Sequence, residues 1–316
     1  MKIIFLDAYT TNPGDLSFSI LEDLGEFTAF EHSTKKEALE RGSDADVIIT
    51  NKHQICSERL AHWPNCKLIA IAATGYNNVD LKACKKRGIK VSNVKGYSTH
   101  SVAQLTFASI LNIINKVSYY NHEVKSGRWS SSRDFSFYDH SIRDLSKLRI
   151  GIFGLGNIGL EIAEIAKAFH MDIIAVSKYP DKAPDFIKIV EQNELFETSD
   201  VISLNVPLNR TTEYLINKAS LSIMKKNAIL VNTARGPLIN EEDLAIHLRT
   251  NSDFSAVLDV LSEEPPTPDL SLLELSNCHI TPHIAWASLD ARRSLIEGIA
   301  SNIRNFKAGT PSNLVG

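Results

Sequence analysis

The stretch RIGIFGLGNIG, Arg149–Gly159, decides the fold of this chain. Its first five residues, RIGIF, predict a short apolar strand, and the next six match the pattern GxGxxG. Apolar residues then recur at helical spacing from Ile158 to Phe169 and predict a helix. A strand, a glycine-rich turn and a helix in this order predict a Rossmann-type dinucleotide-binding unit.

The three glycines of this turn have separate physical roles. Gly154 allows the tight turn, Gly156 lets the backbone approach a pyrophosphate, and Gly159 lets the helix pack closely on the strand. The helix begins near Asn157 and Ile158, so its free N–H groups face the phosphates. The alternative is a glycine-rich turn that binds no ligand.

The residues after the next strand bear on the choice of cofactor. An acidic side chain there binds the ribose hydroxyls of NAD. This chain has Ser177 and Lys178 instead, and Ser177 comes 18 positions after Gly159, near the usual interval of about 20. A hydroxyl and a cation do not repel a 2′-phosphate, so we predict that NADP(H) is accepted as well as NAD(H). The alternative is that Lys178 is a solvated surface residue.

Strands and helices alternate along the chain in two series, which predicts parallel sheets covered on both faces. A wide apolar stripe predicts one long helix from Ser101 to about Lys125, buried on more than one side. The irregular segment Ser126–Asp144 is predicted to be a loop. The predicted strands are Lys2–Leu6, Phe27–Phe30, Val47–Thr50, Leu68–Ala72 and Lys90–Asn93 in the first series, and Arg149–Phe153, Ile173–Val176, Ile187–Val190, Val201–Asn205, Ile229–Asn232, Ala256–Val260 and His279–Thr281 in the second.

Length and composition narrow the class of protein. A chain of 316 residues suits two domains, and its net charge of −3 gives no general attraction to nucleic acid or to anionic membranes. No apolar stretch reaches about 18 residues and the N-terminus does not resemble a signal peptide, so we expect a cytoplasmic protein. The four cysteines show no metal-binding spacing, which predicts free thiols and no metal site.

Three chemically distinct side chains follow strands of the second series. Arg235 follows one strand, Glu263 and Glu264 follow the next, and His283 follows the last. The carboxyl ends of parallel strands meet at one edge of a sheet, where ligands bind in open α/β folds. A guanidinium can hold a carboxylate, an imidazole can deliver a proton near neutral pH, and a carboxylate favours the charged imidazolium. Spacing alone does not choose between the two glutamates.

The chain resembles the D-isomer-specific 2-hydroxyacid dehydrogenase family along nearly its whole length. Tyr76-Asn77-Asn78 and His283-Ile284-Ala285-Trp286 look most like the glycerate dehydrogenase or hydroxypyruvate reductase branch. The matching strings, in order, are Gly75–Asp80, Gly96–Thr99, Gly154–Gly159, Val206–Leu208, Asn232–Gly236, Leu258–Val260 and Thr281–Ile284.

The resemblance implies roles for particular residues. It makes Arg235, Glu264 and His283 the catalytic trio and selects Glu264 over Glu263. It implies that Asp259 holds the nicotinamide carboxamide. Two departures are Ser177, where most members have Asp, and Gln104, where many have Glu. The predicted substrate contacts, besides Arg235, are Thr74, Gly75, Tyr76, Lys52 and Trp286, and the predicted cofactor contacts, besides Asp259, are Gly154, Gly156, Asn157, Ile158, Gly159, Ser177, Lys178, Val206, Pro207, Thr212, Thr233, Ala234 and Thr106. Lys52 could pair with a substrate phosphate or be solvated.

The family fold implies two doubly wound parallel-sheet domains. The Rossmann nucleotide domain, residues 101–286, is inserted in a flavodoxin-like substrate domain made of residues 1–100 and 287–316. The family also implies a homodimer. The activity expected is reduction of a small 2-keto acid to the D-2-hydroxy acid, with hydroxypyruvate or glyoxylate as the leading substrates. A 3-phosphoglycerate dehydrogenase and a non-catalytic, NAD(H)-sensing corepressor are the alternatives.

Overall fold

The computed structural model describes residues 1–315, which form two compact units. Unit 1 consists of Met1–Ser98 together with the C-terminal part of the chain from Ala287, and unit 2 consists of Thr99–Trp286. Within residues 1–315, no helix is both long enough and apolar enough to cross a bilayer.

Unit 1 contains one five-stranded parallel sheet in the order β2-β1-β3-β4-β5, which is the flavodoxin-like order. The central strands β3 and β4 are buried along their whole length, as expected for a sheet covered on both faces. The strands are β1 (Lys2–Phe5), β2 (Glu26–Ala29), β3 (Val47–Thr50), β4 (Leu68–Ile71) and β5 (Lys90–Ser92), and the helices, numbered in chain order, are α1 (Ser19–Glu22), α2 (Lys35–Arg41), α3 (Ser57–Ala61), α4 (Leu81–Lys86) and α11 (Leu289–Lys307).

Unit 2 contains a seven-stranded parallel sheet in the order β12-β11-β10-β9-β6-β7-β8. This is the doubly wound Rossmann order with one added strand. All strands are parallel, and the order in which successive strands are added to the sheet reverses between β6 and β9. The strands are β6 (Arg149–Phe153), β7 (Asp172–Val176), β8 (Lys188–Ile189), β9 (Val201–Leu204), β10 (Ile229–Asn232), β11 (Ser255–Leu258) and β12 (Cys278–Ile280), and the helices are α5 (Thr99–Asn115), α6 (Val117–Lys125), α7 (Asn157–Ala168), α8 (Gln192–Thr198), α9 (Lys218–Ile223) and α10 (Glu241–Thr250).

The predicted fold class is confirmed, and every predicted strand is present with ends that differ by at most two residues. The prediction of one long helix over 101–125 is wrong. Lys116 adopts a left-handed conformation with φ of 48°, which ends α5 at Asn115 before α6 begins. Only α5 is buried, on one face, whereas α6 has no buried residue and Val117 is 63% exposed.

A buried carboxylate ties the amino edge of the unit 2 sheet to the surrounding loops. Asp200 accepts a hydrogen bond from the Arg149 amide at 2.9 Å and forms ion pairs with Lys225 at 3.2 Å and Arg143 at 3.3 Å. Burial favours the neutral acid, but these donors hold the pKa of Asp200 below its usual 3.8. The charged form of Asp200 is therefore the one that the folded unit stabilises.

Candidate functional site

The glycine-rich turn lies at the carboxyl end of β6, beside the point where the strand order reverses. Gly154 has φ of 102°, and a Cβ added there would lie 2.7 Å from the Asn205 carbonyl oxygen. A Cβ at Gly159 would overlap the Gly154 carbonyl oxygen. Gly156 differs, because a Cβ added there meets nothing within 4 Å. The first and third glycines are therefore needed by the turn itself, whereas Gly156 borders open space.

This open space has the features of a phosphate-binding cradle. Gly156 is the N-cap of the twelve-residue helix α7 and no side chain caps that end, which leaves N–H groups of the first turn available. Two nearly buried oxygens elsewhere in the unit, Thr106 Oγ1 and Asn205 Oδ1, also have no hydrogen-bond partner in the described part of the chain. The residues present therefore fit a dinucleotide, although these contacts remain a prediction for each residue.

Two lysines lie around one tyrosine directly after β7. Ser177 Oγ accepts a hydrogen bond from the Tyr179 amide at 3.1 Å, which forms a local turn. The ammonium groups of Lys178 and Lys182 lie 5.9 Å and 5.1 Å from the Tyr179 ring centre. Lys182 is the last residue of the short 3₁₀ helix Pro180–Lys182, whose N-cap is Tyr179. Sequence reasoning missed Lys182, because only the turn makes it a neighbour of Tyr179.

Five further predicted cofactor residues, which are Val206, Pro207, Thr212, Thr233 and Ala234, lie in the loops after β9 and β10. Thr212 Oγ1 donates to the Pro207 carbonyl oxygen at 2.7 Å and accepts from the Asn209 amide at 2.9 Å. Thr212 therefore shapes the loop that contains Val206 and Pro207. Thr233 and Ala234 follow β10 and are half-buried.

The structure brings Glu264 and His283 into direct contact. His283 Nδ1 and Glu264 Oε2 are 2.7 Å apart, and the two side chains are 24% and 33% exposed. The second oxygen of Glu264 accepts from the Leu261 amide at 3.1 Å, which fixes the carboxylate within its own loop. Because Nδ1 faces the carboxylate, the Nε2 atom of the imidazole is the one that can address a reactant.

The loop that contains His283 is held by a buried carboxylate. Asp259 Oδ1 accepts from Thr281 Oγ1 at 2.6 Å and from the Ile284 amide at 2.9 Å, and Oδ2 accepts from the Ala285 amide at 2.9 Å. Burial raises the pKa of Asp259, although all three hydrogen bonds oppose that shift. His283 itself has φ of 53°, a left-handed conformation that costs a non-glycine residue about 1–2 kcal/mol. Both oxygens of Asp259 are therefore engaged by the loop, and its predicted contact with a carboxamide stays a prediction.

The loop that contains Arg235 is held by hydrogen bonds to the side chain of Asn232. Asn232 is fully buried, donates from Nδ2 to the Arg235 carbonyl oxygen at 2.8 Å and accepts from the Ala234 amide at 3.1 Å. A Cβ at Gly236 would overlap the backbone of Leu261, so the Arg235 loop packs against the loop that contains Glu264. Sequence reasoning gave Gly236 no role, because this close approach joins residues 25 positions apart.

The remaining predicted substrate residues are distributed over both units. Thr74, Gly75, Tyr76 and Lys52 lie in unit 1, and Trp286 is half-buried at the end of unit 2. The amides of Gly75 and Tyr76 donate no hydrogen bond within residues 1–315, so they are available to a bound anion. The Lys52 amide donates to Asp7 at 2.7 Å. Across the same residues, no group of His, Cys, Asp and Glu side chains has a metal-binding arrangement.

Comparison with known proteins identifies the family to which this chain is similar. Residues 107–285 match the family model described as "D-isomer specific 2-hydroxyacid dehydrogenase, NAD binding domain". The chain is 39% identical to a hydroxypyruvate reductase of Blautia hydrogenotrophica, covering 100% of this chain and 99% of the relative. It is 33% identical to a glycerate dehydrogenase of Methylorubrum extorquens, with coverage of 99% and 98%. Among solved structures, an acyclic imino acid reductase in complex with NADPH and D-Arg is 30% identical, with a TM-score of 0.87 and full coverage of both chains.

Proposed function

The chain belongs to the D-isomer specific 2-hydroxyacid dehydrogenase family, and from this premise we propose that it reduces hydroxypyruvate to D-glycerate, or glyoxylate to glycolate. The general reaction of the family, reduction of a 2-keto acid with NAD(H) or NADP(H), applies to the chain as a whole. The choice of these two substrates rests on the names of its relatives, which include hydroxypyruvate, glycerate and glyoxylate enzymes.

The contact between His283 and Glu264 is the observation that supports this chemistry most directly. A bound nicotinamide supplies a hydride to the keto carbon, and the oxygen of that carbonyl must then receive a proton. With Nδ1 held 2.7 Å from the Glu264 carboxylate, the imidazolium of His283 delivers the proton from Nε2. Arg235, from the neighbouring loop, binds the substrate carboxylate and polarises the keto oxygen.

Turnover measurements test this proposal. The purified protein is assayed with hydroxypyruvate, glyoxylate, pyruvate and 3-phosphohydroxypyruvate, each with NADH and with NADPH. We expect hydroxypyruvate or glyoxylate to give the highest kcat/KM, and His283→Ala to lose turnover while its affinity for the cofactor is retained. A preference for the phosphorylated substrate would favour a 3-phosphoglycerate dehydrogenase. No turnover with any keto acid, together with tight cofactor binding, would favour a sensor.

We also propose that the enzyme accepts NADPH. Ser177 presents no negative charge to a 2′-phosphate, and the ammonium groups of Lys178 and Lys182 both lie within 6 Å of the Tyr179 ring centre, in the segment that follows β7. Replacing both lysines with alanine is expected to raise KM for NADPH and to leave KM for NADH unchanged. Lys188→Ala is the matched control, because that lysine is paired with Glu194 at 2.7 Å. A wild-type enzyme that strongly prefers NADH would contradict this proposal.

We propose a cytoplasmic homodimer as the working form. From residue 121 to residue 144 no side chain is buried, yet several large apolar side chains are exposed there, Phe135 at 91% and Tyr138 at 79%. An exposed apolar surface of this kind is typical of an interface between subunits. The four cysteines are free thiols, which suits a reducing compartment. Light scattering on the wild type and on a Phe135→Ser/Tyr138→Ser variant tests the dimer, and an unchanged mass in the variant would remove this surface from it.

A further inference from the structure

The backbone around Thr74 is fastened to the segment that follows β5. Asn93 Nδ2 donates to the Thr74 carbonyl oxygen at 2.6 Å, and Thr74 Oγ1 donates to the Val94 carbonyl oxygen at 2.8 Å. A third hydrogen bond joins the Val94 amide to the Ala73 carbonyl oxygen at 3.1 Å. These bonds fix the residues directly before the available amides of Gly75 and Tyr76.

Asn93 is in turn held by α11 and by the C-terminal segment. Asn302, on α11, donates from Nδ2 to the Asn93 carbonyl oxygen at 2.9 Å. Asn302 Oδ1 accepts from Asn313 Nδ2 at 2.8 Å, and the Asn93 amide donates to the Asn313 carbonyl oxygen at 3.2 Å. The C-terminal segment also forms an antiparallel bridge between Ser92 and Leu314. A continuous chain of hydrogen bonds therefore runs from the C-terminal segment to Thr74.

The burial of these polar side chains indicates that they fix a geometry. Asn93 is 1% exposed and Asn302 is 2% exposed. A buried amide is costly unless its hydrogen bonds are made, whereas apolar residues would fill the same space without that requirement. Asn302 forms hydrogen bonds through both atoms of its amide and Asn93 through Nδ2, while Asn93 Oδ1 has no partner in the described part of the chain. Buried hydrogen bonds of this kind restrict the region to one arrangement. Here the arrangement that is fixed is the path of the backbone into Gly75.

We infer that Asn93 is a positioning residue for the loop Ala73–Tyr76, and that Asn302 and the C-terminal segment 312–315 keep Asn93 in place. The inference rests on the proposed function and on the predicted substrate contacts of Gly75 and Tyr76, whose amides would bind the substrate carboxylate in addition to Arg235. Loss of the network displaces those amides and weakens binding of the keto acid. Binding of the dinucleotide is unaffected, because the glycine-rich turn belongs to unit 2.

Steady-state kinetics on Asn93→Ala and Asn302→Leu test this inference. We expect KM for the keto acid to rise about tenfold or more, because small misplacements of binding groups have large effects, while the dissociation constant for the cofactor stays unchanged. Arg293→Ala is the control. Arg293 lies on the same helix and pairs with Asp290 at 2.9 Å, outside the network, so the KM of this variant should be that of the wild type. An unchanged KM in Asn302→Leu, or an equal rise in Arg293→Ala, would overturn the inference.

Amide hydrogen exchange gives a second measurement that needs no activity. In Asn302→Leu, the amides of Asn93 and Val94, which donate to the Asn313 and Ala73 carbonyl oxygens in the wild type, should exchange about tenfold faster, since their local anchoring is lost. The same rate in both proteins would overturn the inference even if KM changed. A wild type that turns over no keto acid would refute the proposed function, and the exchange rates would still decide whether the network positions the loop. If Asn93→Ala does not fold, the Asn302 and Arg293 variants suffice for both measurements.

Discussion

Replacing Glu264 with glutamine removes one charge from the pair with His283 and keeps the shape of the side chain. The amide oxygen can still accept from the Leu261 amide, so the loop should not move. Hydrogen bonds to charged groups contribute about 1.5–3 kcal/mol. Because the two side chains are 24% and 33% exposed, solvent screening puts this pair in the lower part of that range, about 2 kcal/mol.

If the pair stabilises the imidazolium that donates the proton, this free energy appears in the rate. A loss of about 2 kcal/mol corresponds to a fall of about 30-fold in kcat for reduction. The assay is the loss of absorbance of the reduced nicotinamide at saturating keto acid, with cofactor affinity measured separately by fluorescence. Glu263→Gln is the matched control, since it removes the same charge one residue away. A fall of less than about threefold for Glu264→Gln, or equal falls for both variants, would refute this reasoning.

Four further predictions concern stability, cofactor binding and accessibility. Gly236→Ala should cost about 2–3 kcal/mol and lower Tm by about 5–10 °C, because its Cβ would overlap the Leu261 backbone. Gly156→Ala should change Tm by less than about 2 °C yet weaken cofactor binding, and thermal scans giving equal Tm losses would contradict this contrast. The pKa of Asp200 is lowered, so the stability that its charged form contributes is complete above the unfolded pKa of 3.8 and is lost as pH falls through the folded value. Below about pH 4, the stability of Asp200→Asn in urea melts should therefore depend less on pH than that of the wild type. Parallel pH curves for the two proteins would exclude this role. A thiol reagent should modify only the exposed Cys56 in the native protein. Burial raises the pKa of Cys66 to about 12, that of Cys84 to about 11 and that of Cys278 to about 12, which leaves these thiols unreactive. Fast modification of more than one thiol would contradict the structure.

The fold could be predicted because its information is local. Each buried strand is a short apolar run between helices, and GxGxxG marks the turn after β6. The helix over 101–125 could not be divided correctly, because Val117 continues the apolar pattern and nothing in the sequence shows that Lys116 turns left-handed. The pattern of apolar residues predicts which side chains a helix could bury, but not whether another element packs on them. Val117 continues the pattern and is nevertheless exposed.

Only the part of the site that follows from the order of strands in the sheet could be predicted. Placing Arg235, Glu264 and His283 after successive strands of one parallel sheet puts their loops on the same edge. The loop contacts that complete the site depend on pairs far apart in sequence, such as Gly236 with Leu261 and Asn93 with Asn302. A glycine or an asparagine in the sequence does not predict such a contact, since both residue types are common in turns for other reasons.

The anchoring of His283 shows where a prediction from sheet register ends. Parallel pairing sets Leu258 beside Ile280, so Asp259 and Thr281 are neighbours at the strand ends, and their hydrogen bond follows from the register. The hydrogen bonds that Asp259 accepts from the amides of Ile284 and Ala285 do not follow from it, because they require the backbone to turn at His283 with φ of 53°. The same turn aims Nδ1 at Glu264. The carboxylate of Asp259 therefore stabilises a backbone conformation that most residues avoid, and the imidazole is oriented by that backbone as well as by its own hydrogen bond.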